Sequence, residues 1–306
     1  MLFNKTNNGS AELRSLTGNY FANNNYEKVK GDIEFATDEL AKIVGYAVVS
    51  KAATDYEAGT VNELIRYVQM PIAYLATMNM YRKNDVSHED GGRKVKIAAE
   101  GEKSPWEWQI ERDDAMLTEM YYKSVDRLID YLERENIEQW TSSELRLAAQ
   151  KQFIKSATEF NEYFPIDNSS RIFVMLSPFI REAERMYIKP ALGNDYLRLR
   201  NGAELSEADI ELLTYIRPPI ALLAISIAIK RLALSVFPFG VIQRIIAKNH
   251  TMSAGDPPTF EMLDKVADWF EDDAEEMIEW AKRVRNGFPE ARLVPKNSVD
   301  NKFFRV

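Results

Sequence analysis

An internal repeat at a separation of 148 residues constrains the fold of this 306-residue chain more than any other feature of the sequence. Residues 63–76, ELIRYVQMPIAYLA, align without gaps with residues 211–224, ELLTYIRPPIALLA, and eight of these fourteen pairs are identical. Residues 128–134 match residues 277–283 at a separation of 149, in similarity more than in identity. The same kinds of segment recur in the same order, so the sequence predicts two tandem modules of related topology.

The repeated segments have the hydrophobic spacing of helices. Apolar residues recur at intervals of three and four, which places them on one helical face, and residues 38–56 correspond more loosely to residues 178–196. Gly193 predicts a helix end, and Ser206 followed by acidic residues predicts a helix start. Pro71 and Pro219 lie inside helical patterns, where a proline lacks the amide donor, so we expect a kink or a break at each.

The predicted fold is mainly α, with two tandem helical modules of related topology, each with a short hairpin or loop insertion. The first module covers residues 1–165 with an N-terminal extension, and the second covers residues 166–306 with a C-terminal arm. Each module closes with a long helix, from about residue 104 to 134 and from about residue 257 to 285, with a proline near its start, where it is tolerated.

An insertion interrupts the helical pattern of each module. In the first, residues 85–97 predict a β-hairpin: Gly91-Gly92 allows a tight turn, and Val95 and Ile97 alternate with lysines. In the second, residues 237–246 are more apolar and predict a projecting loop. Because both segments break the repeat, we expect interface contacts there. The candidate interface residues are His88, Glu89, Asp90, Gly91, Gly92, Arg93, Phe237 and Phe239.

The C-terminal residues 293–306 add two further candidates, Phe303 and Phe304. This segment is poor in helix signals but ends in apolar side chains, as does an arm that docks on a neighbour. The alternative is a frayed terminus. The sequence favours neither interpretation.

The charge balance and the motif content exclude several function classes. A net charge of −8 argues against a protein that wraps nucleic acid through phosphate neutralisation, and the chain has no cysteine. Phosphate loops, dinucleotide fingerprints, hydrolase elbows and zinc helices are absent from the sequence. The two histidines, His88 and His250, have no obvious catalytic or metal-binding partner in the sequence. We therefore predict no enzyme activity, no cofactor and no metal.

Two other sets of residues have an ordinary structural interpretation. The acidic pairs at residues 113–114, 272–273 and 275–276 predict solvated helical faces, because neighbouring helical residues point about 100° apart. The tryptophans lack the interleaved basic residues of single-strand binders, so we predict that they pack in the core. The four tryptophans meant are Trp106, Trp108, Trp269 and Trp280.

The sequence does not predict export or membrane insertion. The first residues lack the apolar run of a secretory signal, so we expect the chain to stay in the cytoplasm in which it is made. The most apolar window, residues 218–229, is ended by Lys230 and Arg231, short of the roughly 20 residues that cross a bilayer, and it predicts a buried helix.

The second module resembles the head-to-tail connector proteins of long-tailed bacteriophages. The likeness is carried by residues 183–193, AERMYIKPALG, and residues 211–221, ELLTYIRPPIA. In that family a small helical adaptor forms a ring beneath the portal, a loop or hairpin contacts neighbouring parts of the assembly, and no catalysis is known. A fused tandem pair departs from the usual single short adaptor.

The resemblance implies a virion protein that is assembled in the host bacterial cytoplasm as part of a ring between portal and tail. Its expected partners are copies of itself and portal, tail or other connector proteins, without a membrane. DNA would pass through a channel without specific binding, because a protein with an acidic charge balance repels the duplex. Two other classes remain open. A non-viral helical adaptor would bind one protein partner, and an enzyme without known motifs would show a pocket with converging polar groups.

Overall fold

The computed structural model describes residues 2–5, 11–18, 26–89, 92–94, 105–202, 204–232 and 259–287. The fold is mainly α, as the sequence predicts. The chain divides into two compact units. Unit 1 comprises residues 1–150 and 169–175, and unit 2 comprises residues 151–168 and 176–306, so the chain passes between the units within residues 150–176.

Unit 1 is built around three helices and a short hairpin. Helix α4 packs against α2 and against α5, and α1, α3, α6 and α7 also belong to the unit. The elements are α1 (Ala11–Thr17), α2 (Tyr26–Val44), α3 (Tyr46–Ala58), α4 (Glu63–Asn84), β1 (Ser87–Glu89), β2 (Gly92–Lys94), α5 (Glu107–Arg134), α6 (Glu138–Thr141) and α7 (Glu144–Gln150).

The core of unit 1 follows the predicted apolar face of α4. Val68, Ile72 and Ala76 are four residues apart, lie on one helical face and are fully buried. Tyr67 stacks on Tyr131 of α5, with the ring centres 4.3 Å apart. Contacts of this kind along α4 hold it against its two long neighbours, and the end of α4 is where the hairpin leaves the unit.

Unit 2 has two long helices that pack along each other, α12 and α13. Its remaining helices are short, apart from α9, whose first residues belong to unit 1. The elements from residue 151 onward are α8 (Ala157–Tyr163), α9 (Ser170–Ala183), a π-helical turn (Glu184–Ile188), α10 (Lys189–Leu192), α11 (Asp195–Asn201), α12 (Glu207–Leu232) and α13 (Phe260–Asn286).

The buried positions of α12 correspond to those of α4. Ile216, Ile220 and Ala224 are the partners of Val68, Ile72 and Ala76 in the sequence repeat, and all of them are fully buried. On α13 the buried face consists of small and aliphatic residues, which allows the two helices to approach closely. These residues are Ala267, Ala274, Ile278 and Ala281.

Neither long helix is interrupted at its prolines, so a break at Pro71 or Pro219 was a wrong expectation. Helix α4 runs through Pro71, and α12 runs through Pro218 and Pro219. A proline removes one amide donor from the helical ladder, but Pro71 and Pro219 are buried among the apolar contacts that hold each helix in place. Tertiary packing therefore outweighs the local penalty.

The first helical stretch is irregular at matching places in the two units. In unit 1, Gly45 separates α2 from α3 with a φ of 90°, a backbone conformation that favours glycine. In unit 2, the π-helical turn Glu184–Ile188 interrupts the helix. The loose correspondence between residues 38–56 and 178–196 pairs Gly45 with Arg185, which lies inside that turn.

The predicted helix signals near the start of α12 are confirmed. Gly193 ends α10 with a positive φ of 54°. The amide of Asp209 donates to the hydroxyl of Ser206, and the amide of Ser206 donates to the carboxylate of Asp209 at 2.9 Å. This reciprocal cap fixes the point at which α12 begins.

Among the described residues, α12 is the one helix that is long and apolar enough to cross a membrane by length and composition. Two-thirds of its apolar window is buried inside the protein. A core helix of a globular unit passes the same test, so this is weak evidence for a membrane span.

Candidate protein interface

Helices α4 and α5 of unit 1 run antiparallel, and so do α12 and α13 of unit 2. Each unit therefore has one end at which the insertion between the two helices leaves and returns. In unit 1, Tyr67 contacts Tyr131 while Arg82 contacts Asp114, which gives α4 and α5 opposite directions. We call this the insertion end. In unit 1 it comprises the end of α4, the hairpin and the start of α5. In unit 2 it comprises the end of α12 and the start of α13.

Two ion pairs hold the insertion end of unit 1. Arg82 Nε lies 2.7 Å from Asp114 Oδ2 on α5, and Lys83 Nζ lies 2.6 Å from Asp32 Oδ2 on α2. The last turn of α4 is thereby tied to both of the helices that flank it. Burial, and then the charge of Asp114, raise the pKa of Asp85 at the root of the hairpin above its usual range.

Two basic residues hold the insertion end of unit 2 in the same way. Lys230 Nζ lies 2.6 Å from Glu271 Oε2 and 2.9 Å from Asp268 Oδ1, both on α13. Arg231 pairs with Glu182 on α9. The hydrogen bond to Glu271 raises the pKa of Lys230 above its usual range, and Lys230 in turn lowers the pKa of Glu271.

The two arrangements correspond in sequence as well as in position. Arg82 and Lys230 are 148 residues apart, as are Lys83 and Arg231. In unit 1, Arg82 pairs with α5 and Lys83 pairs with α2. In unit 2, Lys230 pairs with α13 and Arg231 pairs with α9. An exposed ion pair alone contributes about 0–1 kcal/mol, so these contacts orient the last turns of α4 and α12 more than they add to stability.

Large apolar side chains are exposed at both insertion ends, which overturns the prediction that the tryptophans pack in the core. Trp106 is 71% exposed and Trp108 is also exposed at the start of α5, as are Phe260 and Met262 at the start of α13. Trp269 and Trp280 are exposed further along α13. Helical spacing alone does not reveal which face of a long helix is covered, and here the small residues of α13 take the buried positions.

The prediction of solvated acidic faces is confirmed in most positions. Asp113, Asp272, Asp273, Glu275 and Glu276 are all exposed. Asp114 is the exception, since it is half-buried in its pair with Arg82. In the part of the chain that the structure describes, no group of three or more acidic or histidine side chains is arranged to hold a metal ion.

The structure places four of the ten predicted interface residues. His88 and Glu89 lie in β1, Gly92 and Arg93 lie in β2, and the antiparallel register pairs His88 with Arg93 and Glu89 with Gly92. The hairpin prediction is thus confirmed for Ser87–Glu89 and Gly92–Lys94, while Val95 and Ile97 lie outside the described residues. The other six lie outside the described residues: Asp90, Gly91, Phe237, Phe239, Phe303 and Phe304.

Unit 2 also contains a buried carboxylate that the sequence analysis did not single out. Glu184 lies on the π-helical turn, is fully buried and accepts a hydrogen bond of 2.6 Å from the amide of Phe153. Its second oxygen lies 3.3 Å from Nε of Arg200. Burial raises the pKa of Glu184 to about 7, although the amide and the arginines oppose the shift.

Comparison with known proteins gives one match. A family model described as a family of unknown function (DUF6712) matches residues 19–146 and 182–284, which together make up more than half of the chain. No curated protein and no solved structure matches. Each of the two matched stretches includes one pair of long helices and one insertion, α4 with α5 and α12 with α13.

Proposed function

The chain belongs to the DUF6712 family, whose function is unknown, and we propose that it is a structural virion protein that forms part of a ring between portal and tail. The observation that carries the proposal is the exposure of large apolar side chains at both insertion ends. Tryptophan and methionine are enriched at protein interfaces, and exposing them to water without a partner is unfavourable.

The corresponding ion pairs in the two units support an origin by duplication of one helical module. Two similar units with different surfaces can each bind a different neighbour, while their cores stay alike. Residues 1–165 hold 20 basic and 27 acidic side chains, and the remainder holds 19 and 20. The first module therefore has most of the negative charge. Contact between unlike surfaces of identical chains closes into a ring when the rotation between copies allows it.

The overall charge supports a DNA conduit over a DNA binder. With a net charge of −8, the surface repels the phosphate backbone, so a duplex can pass through a ring without being held. We expect no retardation of duplex DNA by the protein at physiological salt.

The first test is the mass of the assembled protein. Light scattering coupled to gel filtration, together with negative-stain images, should show a closed ring of many 35.2 kDa chains, alone or after addition of a phage portal protein. A monomer or dimer that stays so in the presence of portal protein would contradict the proposal. That result would favour the alternative, a non-viral helical adaptor that binds a protein partner.

The second test concerns the hairpin. Deletion of residues 89–93 should impair assembly while the monomer remains folded, because Arg82 and Lys83 hold the end of α4 independently of the hairpin tip. Circular dichroism serves as the control for folding. Wild-type assembly after this deletion would remove the hairpin from the interface.

A further inference from the structure

Helix α13 exposes a stripe of side chains that combines large apolar groups with negative charge. Met262, Trp269, Glu276 and Trp280 are separated by seven, seven and four residues, and all four are exposed. At about 100° per residue, these intervals place them on one face. Trp269 is 65% exposed and Trp280 is 44% exposed. The buried residues of α13 lie on the opposite face, so the stripe points away from the core of unit 2.

The middle of the stripe is negatively charged, whereas Lys265 pairs with Glu261 near its start and Arg283 lies over Trp280 at its end. Residues 266–281 contain no lysine or arginine. Asp268 pairs with Lys230, and Glu279 pairs with Lys282. Across the described part of the chain, no basic side chain forms an ion pair with the four remaining exposed acids, Asp272, Asp273, Glu275 and Glu276. A protein segment that binds here should therefore present apolar and basic side chains together.

The C-terminal segment, residues 288–306, has that composition. It contains four basic and two acidic side chains and several apolar ones. The apolar residues are Phe288, Ala291, Leu293, Val294, Val299, Phe303, Phe304 and Val306. An extended chain spans about 3.3 Å per residue, so the 16 residues from Gly287 to Phe303 reach roughly 50 Å. A helix rises about 1.5 Å per residue, so α13, with its 27 residues, is only about 40 Å long. One segment is therefore long enough to run along the whole stripe.

We propose that the C-terminal segment of one copy of this chain docks on the exposed stripe of α13 in a neighbouring copy. Its basic residues would face the four exposed acids, and Phe303 and Phe304 would contact the tryptophans. Docking between copies, as opposed to within one chain, rests on the proposed function, because a ring subunit must contact its neighbour. The segment would thereby link adjacent subunits.

The absence of cysteine from the chain allows a direct test by crosslinking. One variant has Glu276→Cys on the stripe, and a second has Asn301→Cys in the C-terminal segment. When the two full-length proteins are mixed and mildly oxidised, we expect a disulfide-linked dimer on a non-reducing gel. The matched control replaces Glu276→Cys with Glu111→Cys, an exposed position on α5. The stripe variant should give several-fold more mixed dimer than this control.

Three outcomes of the crosslinking experiment would overturn the proposal. Equal dimer yields from Glu276→Cys and Glu111→Cys would show that the contact is not specific. An intrachain disulfide in the double variant E276C/N301C, in place of a dimer, would show that the segment folds back on its own helix. No crosslink at all would show that the C-terminal segment does not bind the stripe, and a different protein would then be the expected partner.

Charge exchange gives an independent test of docking between copies. The variant D272K/E276K reverses the charge of the stripe, and K302E/R305E reverses the charge of the segment. Each variant alone should lose most of its assembled fraction, and mixing the two should restore it, because the reversed segment matches the reversed stripe. No restoration on mixing would contradict the proposal.

The same experiments separate this inference from the proposed function. Rings seen by electron microscopy without a stripe-specific crosslink would overturn the docking and leave the connector proposal standing. A specific crosslink between copies without rings would support the docking and overturn the connector proposal.

Discussion

The guanidinium carbon of Arg283 lies 5.3 Å from the ring centre of Trp280, three residues earlier on α13. Arg134 lies over Tyr131 of α5 in the same way, at 5.5 Å. The sequence repeat pairs Trp280 with Tyr131 and Arg283 with Arg134. Both long helices thus have a cation over an aromatic ring at the same place, which supports our proposal that the two units share one origin.

Removing either cation should cost a similar amount of stability. We expect Arg283→Met and Arg134→Met each to lower the free energy of unfolding by about 0.5–1 kcal/mol, the lower range for cation–π contacts, because both guanidinium groups are exposed. Urea unfolding of double-mutant cycles with Trp280→Leu and Tyr131→Leu measures the coupling. A coupling energy near zero in one unit would contradict the equivalence of the two contacts.

Truncating the matched core residues should have a much larger effect. Ile72 and Ile220 are paired in the repeat and are both fully buried. Because Ile→Ala leaves a cavity, we expect each substitution to lower the free energy of unfolding by about 2–5 kcal/mol. The exposed pair Glu63→Ala and Glu211→Ala provides the control, with changes within about 0.5 kcal/mol.

The positions of these core residues could be predicted from sequence because the helical period determines which residues share a face. The helical period predicted α4 and α5 in unit 1 and α12 and α13 in unit 2. The helix cap at Ser206 was predicted from the type of that residue and of the acidic residues after it. The helical period did not identify the covered face of α13. Ala267, Ala274 and Ala281 are less hydrophobic than Trp269 and Trp280, but they permit close helix packing, and hydrophobicity alone ranks them in the wrong order.

The ion pairs at the insertion ends could not be predicted for a different reason. Arg82 and Asp114 are 32 residues apart, and which acid faces which base depends on the rotation of two packed helices. The sequence did contain one indication of these ion pairs, because two consecutive basic residues recur at the ends of α4 and α12. The burial of Glu184 could not be predicted from the sequence in this way, because a single glutamate in an amphipathic stretch is typical of a surface residue.

Glu184 should make unit 2 less stable as the pH rises. Its pKa is raised from 4.5 to about 7 in the folded protein, so the folded state binds the proton more tightly than the unfolded state does. The resulting stabilisation is full below pH 4.5 and is lost as the pH rises through 7, a change of about 3 kcal/mol at most.

The substitution Glu184→Gln tests this dependence, because glutamine resembles the protonated acid and can still accept the amide of Phe153. We expect the difference in unfolding free energy between wild type and this variant to vary with pH between 4.5 and 8. The exposed Glu162→Gln is the matched control. A pH-independent difference would show that Glu184 keeps an ordinary pKa.

The ion pair between Lys230 and Glu271 should make unit 2 less stable as the pH falls, whereas Glu184 makes it less stable as the pH rises. The pKa of Glu271 is lowered by its hydrogen bonds to Lys230 and Tyr187, so its stabilisation is present above its unfolded pKa and is lost as the pH falls through its folded pKa. In Lys230→Met we expect a loss of about 1 kcal/mol at pH 7 and a smaller difference in acid. Guanidinium unfolding at pH 7 and pH 3 measures it, and a loss of equal size at both would contradict the role of the ion pair.

The exposed tryptophans of α5 should matter for assembly and not for folding. In the double variant W106S/W108S the unfolding free energy should change by less than about 0.5 kcal/mol, because both side chains are exposed. The assembled fraction in gel filtration should fall. Trp140→Ser, at a fully buried position, is the contrasting variant and should destabilise unit 1 itself. Unchanged assembly of the W106S/W108S protein would remove this surface from the interface.

The antiparallel arrangement of α4 and α5 has a mechanical consequence. A pull on the hairpin draws α4 and α5 in the same direction along their axes, so the contacts between α4 and α2, and not those between α4 and α5, resist it. A neighbour attached to the hairpin would therefore load the packing between α4 and α2.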